Sequence, residues 1–257
     1  MRRSGIPAVH LAAALTVTAV VAASAAAEAP EYGRCVNVAK LGKVGAFKNS
    51  GCTVKATATE HKFEWQPGPG SKPKFVSHMT SEKATIETAS GTKVSCTKMH
   101  DAGEVTGRKT TVIQFTFEGC SFSELPCTTP GQAGGVVATP VLPGRLIVIK
   151  KEAEAKKNII GDDIGSPGAP FAEFTCGEDV GFRIVGSVIQ RLAVNTMLEK
   201  VALVFAETKG HQKLEKGEGE PKDVLETSIL GRPFEQTGLA LTEVQENERK
   251  IEVNTVV

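Results

Sequence analysis

Residues 110–117 read Thr-Thr-Val-Ile-Gln-Phe-Thr-Phe, and this stretch says most about the fold. β-branched and aromatic residues that alternate with a period of two are typical of a half-buried strand. Two upstream segments, Lys83–Thr88 and Thr92–Thr97, alternate in the same way and are separated by Ala89-Ser90-Gly91. This arrangement predicts a β-hairpin whose turn is formed by those three residues.

The same alternation recurs along the chain, and the segments that show it are 144–150, 171–176, 180–192, 200–207, 239–245 and 250–256. Turn formers such as Pro130-Gly131 and Pro143-Gly144 separate them, and 26 glycines and 13 prolines leave little room for long helices. Only 150–157 holds a run of strong helix formers, interpreted as a solvated helical turn or a charged strand edge. The pattern predicts an all-β fold, an antiparallel sandwich or a barrel-like architecture with long loops rich in glycine and proline.

Two glycine-marked segments, Gly161–Pro170 and Gly210–Pro221, are predicted to be loops. The second is rich in charge and is interpreted as a solvated connector. We interpret residues 28–257 as one β-rich domain, and the alternative is two β subdomains that divide near residues 126–145.

The first 27 residues have the composition of an export signal. Arg2 and Arg3 precede an uncharged stretch rich in Ala and Val, and the small residues Ala23-Ser24-Ala25 and Ala25-Ala26-Ala27 suit a signal peptidase. The alternative is a transmembrane anchor, but Ala contributes little to membrane insertion. We therefore expect cleavage near residue 27 and a secreted chain, extracellular or associated with the cell envelope, without a membrane span after cleavage.

The charge balance argues against nucleic acid as a partner. The whole sequence has 30 Lys and Arg and 29 Asp and Glu, and removal of Arg2 and Arg3 leaves a net charge of −1. A nucleic-acid surface needs a basic excess on one face, whereas here the two signs are interspersed.

Six cysteines follow the signal, and they are Cys35, Cys52, Cys96, Cys120, Cys127 and Cys176. An even number of cysteines in an exported protein predicts disulfides, although the pairing cannot be read from the sequence. Spacing favours Cys35–Cys52 and Cys120–Cys127 as local bridges, which leaves Cys96–Cys176 to join distant strands. Zinc is the competing interpretation, but no Cys-x-x-Cys pair occurs and we expect no metal at these cysteines.

Several short motifs occur together in a fixed order: Glu31–Val36, Ser50–Thr53, Phe63–Gly68, Phe117–Cys120, Phe174–Gly177, Gly186–Ile189, Glu218–Glu226 and Asn254–Val257. Together they resemble a group of secreted actinobacterial proteins of unassigned function, and the resemblance spans most of the chain after the signal. It implies export and a bacterial envelope or extracellular setting. It carries over no catalytic residues.

Histidine and serine patterns predict no catalytic residues. The sequence contains neither His-Glu-x-x-His nor Gly-x-Ser-x-Gly, and Ser187 lies within a strand-like run. His100-Asp101, followed by Gly103, is interpreted as a hairpin turn. His61 and Glu64 are three residues apart, a spacing that places them on opposite faces of a strand.

Two further features allow a binding role. Asp162-Asp163 between Gly161 and Gly165 could offer carboxylates to calcium, although paired acids in a loop are usually solvated. Trp65 beside a Pro-Gly-Pro-Gly run could be an exposed platform for sugars, although packing at a strand end is the favoured interpretation. We assign no cofactor and no metal ligand.

These observations favour a non-catalytic binding or structural module that is secreted or attached to the envelope. Its partner is unknown, with a cell-envelope polysaccharide or a protein as the candidates. The alternative is an extracellular hydrolase whose carboxylates converge only in the fold. A cleft with two convergent carboxylates of perturbed pKa would favour the enzyme.

Overall fold

The strand expected at 110–117 is present, with alternate side chains buried, and it belongs to an antiparallel sheet that occupies most of the molecule. The computed structural model describes residues 30–57 and 60–255, so the expected signal at 1–27 lies outside the described residues. The strands are β1 (Glu31–Asn37), β2 (Phe63–Pro67), β3 (Lys74–Met79), β4 (Ala84–Thr88), β5 (Lys93–Cys96), β6 (Lys98–Val105), β7 (Thr110–Glu118), β8 (Ser121–Phe122), β9 (Leu125–Thr128), β10 (Val137–Ala138), β11 (Leu142–Lys150), β12 (Ile159–Cys176), β13 (Val180–Arg191), β14 (Leu198–Phe205), β15 (Glu207–Thr208), β16 (His211–Gln212), β17 (Leu225–Ile229) and β18 (Glu235–Asn254).

The strand pairings run around two circuits, which makes the architecture barrel-like. In the first circuit, β18 pairs with β3, and the order continues through β6, β7, β11 and β12 to β13. Strand β14 pairs with the other edge of β18 and packs beside β13, which completes this circuit. In the second circuit, β18 pairs with β4, and the order continues through β5, β8, β9, β12, β13 and β17 back to β18. Both circuits therefore use the long strands β12, β13 and β18.

The first circuit has an aromatic core centred on Phe115. Its ring lies 6.1 Å from Phe117, 6.2 Å from Phe171 and 6.0 Å from Phe205, measured between ring centroids. All four side chains are fully buried, and burial of each such side chain contributes about 1.5–3 kcal/mol to stability. The alternation noted in 110–117 exists because Phe115 and Phe117 point into this core.

The six cysteines form three disulfides, and two of the three favoured pairings are wrong. Cys35–Cys52 is confirmed, but Cys96 pairs with Cys120 and Cys127 pairs with Cys176, rather than Cys120 with Cys127 and Cys96 with Cys176. The reason is strand register, since Cys127 on β9 lies directly opposite Cys176 on β12. The Cys96–Cys120 and Cys127–Cys176 bridges link strands of the second circuit in the region where β8 and β9 are short. Three disulfides are typical of extracellular proteins.

The segment Gly161–Pro170 is a strand rather than the loop that we expected. It belongs to β12, which pairs with β13 on both sides of an irregularity between Ser166 and Pro170. Gly165 and Gly186 have φ of +116° and +99° at this bulge, a backbone conformation that favours glycine. Gly165, Gly186 and Pro170 therefore mark a bend at which the β12–β13 ladder passes from one circuit to the other.

Four other predictions compare with the structure as follows. The hairpin at 89–91 is confirmed, and β4 pairs with β5 across it. The two strands expected at 239–245 and 250–256 are parts of the single strand β18, and His100-Asp101 lies inside β6 rather than in a turn. Residues 150–157 contain a 3-10 turn at Ala155–Lys157. Within 30–57 and 60–255, no helix is long and apolar enough to cross a membrane.

Candidate functional site

A groove of about 870 Å³ lies on the outer face of β12 and β13, beside the loop 230–234 that joins β17 to β18. Its lining comes from residues 173–175 of β12, residues 181–183 of β13, Ser228 on β17, the loop 230–234, and Pro130 on the opposite side. Clefts of this size are within the range that proteins use to bind ligands. We refer to this surface as the β12–β13 groove.

The loop 230–234 presents apolar side chains to solvent from a backbone that is held in place. The Leu230 N–H donates to the Gly181 carbonyl at 2.9 Å, and the Ser228 hydroxyl donates to the Arg232 carbonyl at 2.5 Å. Leu230 has φ of +53°, an uncommon conformation for a bulky residue, and 56% of Leu230 and 44% of Phe234 are exposed. The loop therefore forms a positioned apolar wall along one side of the groove.

The floor of the groove follows from the register of β12, β13 and β17. Glu173 lies directly opposite Arg183, and their side chains form an ion pair at 3.1 Å. Behind them, Phe174 and Phe182 stack inside the second circuit with ring centroids 5.0 Å apart. Gly181 has no side chain, so the groove is deeper beside the Glu173–Arg183 ion pair.

The charge of the groove is positive. Arg183 is neutralised by Glu173, whereas Arg232 has no carboxylate partner among the described residues. Glu173 is also the one carboxylate among the described residues that line the groove. The surface therefore combines an apolar wall with an arginine that is available for an anionic group.

Two buried carboxyl groups with raised pKa lie elsewhere, close together inside the first circuit. Asp101 on β6 and Glu243 on β18 are 2% and 1% exposed. Burial raises the pKa of Asp101 to about 6, while burial and the charge of Asp101 raise the pKa of Glu243 to about 9. Gln190 donates to Glu243 Oε1 at 2.6 Å. The pair is therefore an acid that keeps its proton at neutral pH beside a carboxylate.

Asp162 and Asp163 are buried on opposite faces of β12 and do not form a calcium loop. The Thr111 hydroxyl donates to Asp162 Oδ2 at 2.7 Å, and burial raises the pKa of Asp162 to about 7. Asp163 accepts from the Ser187 hydroxyl at 2.6 Å and pairs with Arg145 at 2.8 Å. Each carboxyl has its own hydrogen-bond donor, and a strand directs adjacent side chains to opposite faces.

The other residues singled out in the sequence have structural surroundings. Trp65 is half-buried and donates to Glu252 Oε2 at 2.8 Å, so it is not an exposed platform. His61 contacts the Gly45 carbonyl at 2.7 Å. None of the histidines that the structure describes lines the β12–β13 groove.

The Asp101–Glu243 pair and the loop 230–234 were not recognised in the sequence. The two acids are 142 residues apart in the sequence, and β3, which pairs with both β6 and β18, brings them together in the fold. The loop carried a detectable signal, since residues 230–234 read Leu-Gly-Arg-Pro-Phe and place turn formers between two bulky apolar residues.

In residues 30–57 and 60–255, no group of three or more His, Cys, Asp and Glu side chains is arranged to hold a metal ion. Comparison of the chain with protein-family models, with curated proteins and with solved structures finds no match.

Proposed function

We propose that this chain is a secreted or envelope-associated binding module that docks a protein segment in the β12–β13 groove. The segment would carry an acidic side chain next to apolar ones. The observation that carries the proposal is the exposed pair Leu230 and Phe234, on a loop held by backbone contacts, beside Arg232, which has no carboxylate partner among the described residues. Export is supported by the three disulfides and by the composition of residues 1–27.

The lining of the groove supports a protein partner over a polysaccharide. Apolar side chains next to an arginine are typical of the energetically important centre of a protein interface. Sugar sites commonly use the faces of Trp or Tyr, and the aromatic residues among those described in the groove are all Phe. An acidic side chain would pair with Arg232, while the apolar neighbours of that acid would cover Leu230 and Phe234.

The alternative function, a hydrolase with two convergent carboxylates, has suitable residue types in Asp101 and Glu243. These two groups have strongly raised pKa, but both are almost completely buried inside the first circuit. The groove has Glu173 alone, and this carboxylate is paired with Arg183. The Asp101–Glu243 pair and the β12–β13 groove therefore occur at different places, which favours the binding module.

The test is binding of short fluorescent peptides to the full, oxidised chain, followed by fluorescence anisotropy. One peptide set combines Phe or Leu with Asp or Glu, a second replaces the acids with Lys, and a third replaces the apolar residues with Ser. We expect the first set to bind, and both matched sets to bind at least about tenfold more weakly.

Variants of the loop assign the binding to the groove. We expect Phe234→Ser and Arg232→Gln each to weaken binding of the first peptide set by about tenfold. Val204→Ser is the matched control, since Val204 is 51% exposed on β14 and lies outside the groove. Equal binding of all three peptide sets, unchanged binding by both loop variants, or a preference for soluble polysaccharides such as dextran or alginate would refute the proposal.

A further inference from the structure

Two histidines face each other on the outer surface of the first circuit. His78 on β3 lies directly opposite His100 on β6, and both side chains are exposed. Residues directly opposite in an antiparallel pair have Cβ atoms about 4.5–5.5 Å apart. Two imidazoles at this separation can ligate a single ion through one ring nitrogen each.

A carboxylate positions one of the two rings. Glu118 on β7 lies with Oε1 3.5 Å from Nδ1 of His100, so the Nε2 atom of that ring is available. Histidines that bind metals almost always direct their other ring nitrogen to a carboxylate, a carbonyl or a water, which fixes the ring orientation and increases its basicity. His100 already has this arrangement.

The surroundings leave room for an ion with water ligands. His78, His100 and Glu118 line a cavity of about 310 Å³. On the other side of His78, Glu246 on β18 has a pKa lowered chiefly by Lys200, with a contribution from His78. Lys98 is the cation that lines the same cavity among the described residues.

We propose that His78 and His100 bind one divalent transition-metal ion, and that Glu118 orients the His100 ring. Two neutral imidazoles suit Cu²⁺, Ni²⁺ and Zn²⁺ and do not suit Ca²⁺ or Mg²⁺, which prefer oxygen ligands. Because the described residues supply no third ligand in metal-binding geometry, water completes the coordination. The ion is therefore exchangeable and separate from the disulfides that hold the fold together.

The test is isothermal titration of the full, oxidised chain with Cu²⁺, Ni²⁺ and Zn²⁺, with Ca²⁺ as the negative control. We expect His78→Ala and His100→Ala each to weaken binding at least about tenfold, with Cu²⁺ bound more tightly than Ni²⁺ or Zn²⁺. His211→Ala is the matched control, since His211 is an exposed histidine in the hairpin of β15 and β16. We expect it to bind as the parent chain does.

Glu118→Gln separates a positioning role from simple charge. This variant should weaken binding about tenfold or more, while leaving the free energy of unfolding without metal nearly unchanged. The proposal is overturned if His78→Ala and His100→Ala bind as the parent chain does, if His211→Ala weakens binding equally, or if Ca²⁺ binds as well as Cu²⁺.

Discussion

Glu243→Gln is predicted to make the stability of this protein less sensitive to alkaline pH. Burial first, and the charge of Asp101 second, raise the pKa of Glu243 from 4.5 to about 9 in the folded chain. Between these two values the folded state keeps a proton that the unfolded state has released, so the free energy of unfolding falls as the pH rises. Glutamine cannot ionise in either state, and the variant lacks this dependence.

The expected magnitude follows from the two pKa values. From pH 5 to pH 8, a group with pKa values of 4.5 unfolded and about 9 folded lowers the free energy of unfolding by about 4 kcal/mol. The substitution preserves packing, because Gln at 243 can accept from Gln190 as Glu243 does at 2.6 Å and can donate towards Asp101. Between pH 5 and pH 8, the free energy of unfolding of the variant should therefore rise by about 4 kcal/mol relative to that of the parent chain.

Urea unfolding at pH 5, 6, 7 and 8, followed by far-UV circular dichroism under oxidising conditions, measures this difference. Asp101 is present in both proteins, so the difference reports position 243 and its interaction with Asp101. Glu226→Gln, at an exposed position of β17, is the matched surface control. If the stability difference between Glu243→Gln and the parent chain is the same at pH 5 and pH 8, the assignment of a protonated buried acid is wrong.

Three further predictions test the fold. Gly103→Ala should destabilise by about 1–3 kcal/mol in urea unfolding, because its Cβ would lie 2.3 Å from Phe75 Cζ; Gly134→Ala, with open space around it, should be nearly neutral. Simultaneous replacement of Cys127 and Cys176 by Ala should lower the free energy of unfolding by about 2–5 kcal/mol, and peptide mapping of the parent chain without reduction should find these two cysteines linked. Burial raises the pKa of Asp162 from 3.8 to about 7, so the free energy of unfolding of Asp162→Asn should rise by roughly 3 kcal/mol relative to that of the parent chain between pH 4 and pH 7. A stability difference between the two proteins that is the same at pH 4 and pH 7 would contradict this assignment.

Local pattern was sufficient to predict individual strands. The alternation in 110–117 reflects which side chains of β7 face the Phe115 core, and the hairpin at 89–91 follows from its turn residues. Both properties are determined by neighbours in sequence, and the sequence displays them directly. The all-β class follows from the same signals.

Pairings between distant strands could not be predicted in this way. The disulfide of Cys127 depends on the register of β9 against β12, and the Asp101–Glu243 pair depends on how β6, β3 and β18 lie side by side. A local reading also misjudged Gly161–Pro170, because glycine and proline mark both loops and strand bulges. In β12, the ladder to β13 resumes beyond the bulge, and only the partner strand reveals this.

The groove and the histidine pair differ in how much the sequence indicated. Leu-Gly-Arg-Pro-Phe at 230–234 predicts a turn with exposed apolar ends, but not the outer face of β12 and β13 beside it. His78 and His100 are 22 positions apart in a chain without a metal-binding spacing, and strand register alone places them opposite each other.

The position of β18 in both circuits has a consequence for how the chain acquires its structure. This strand pairs with β1, β3, β4, β14 and β17, all of which precede it in the chain. During synthesis, neither circuit can close until residues 235–254 have emerged. The nascent chain therefore stays open until nearly all of the described residues are available, and any truncation before Glu235 leaves two rows of strands without the segment that joins their ends.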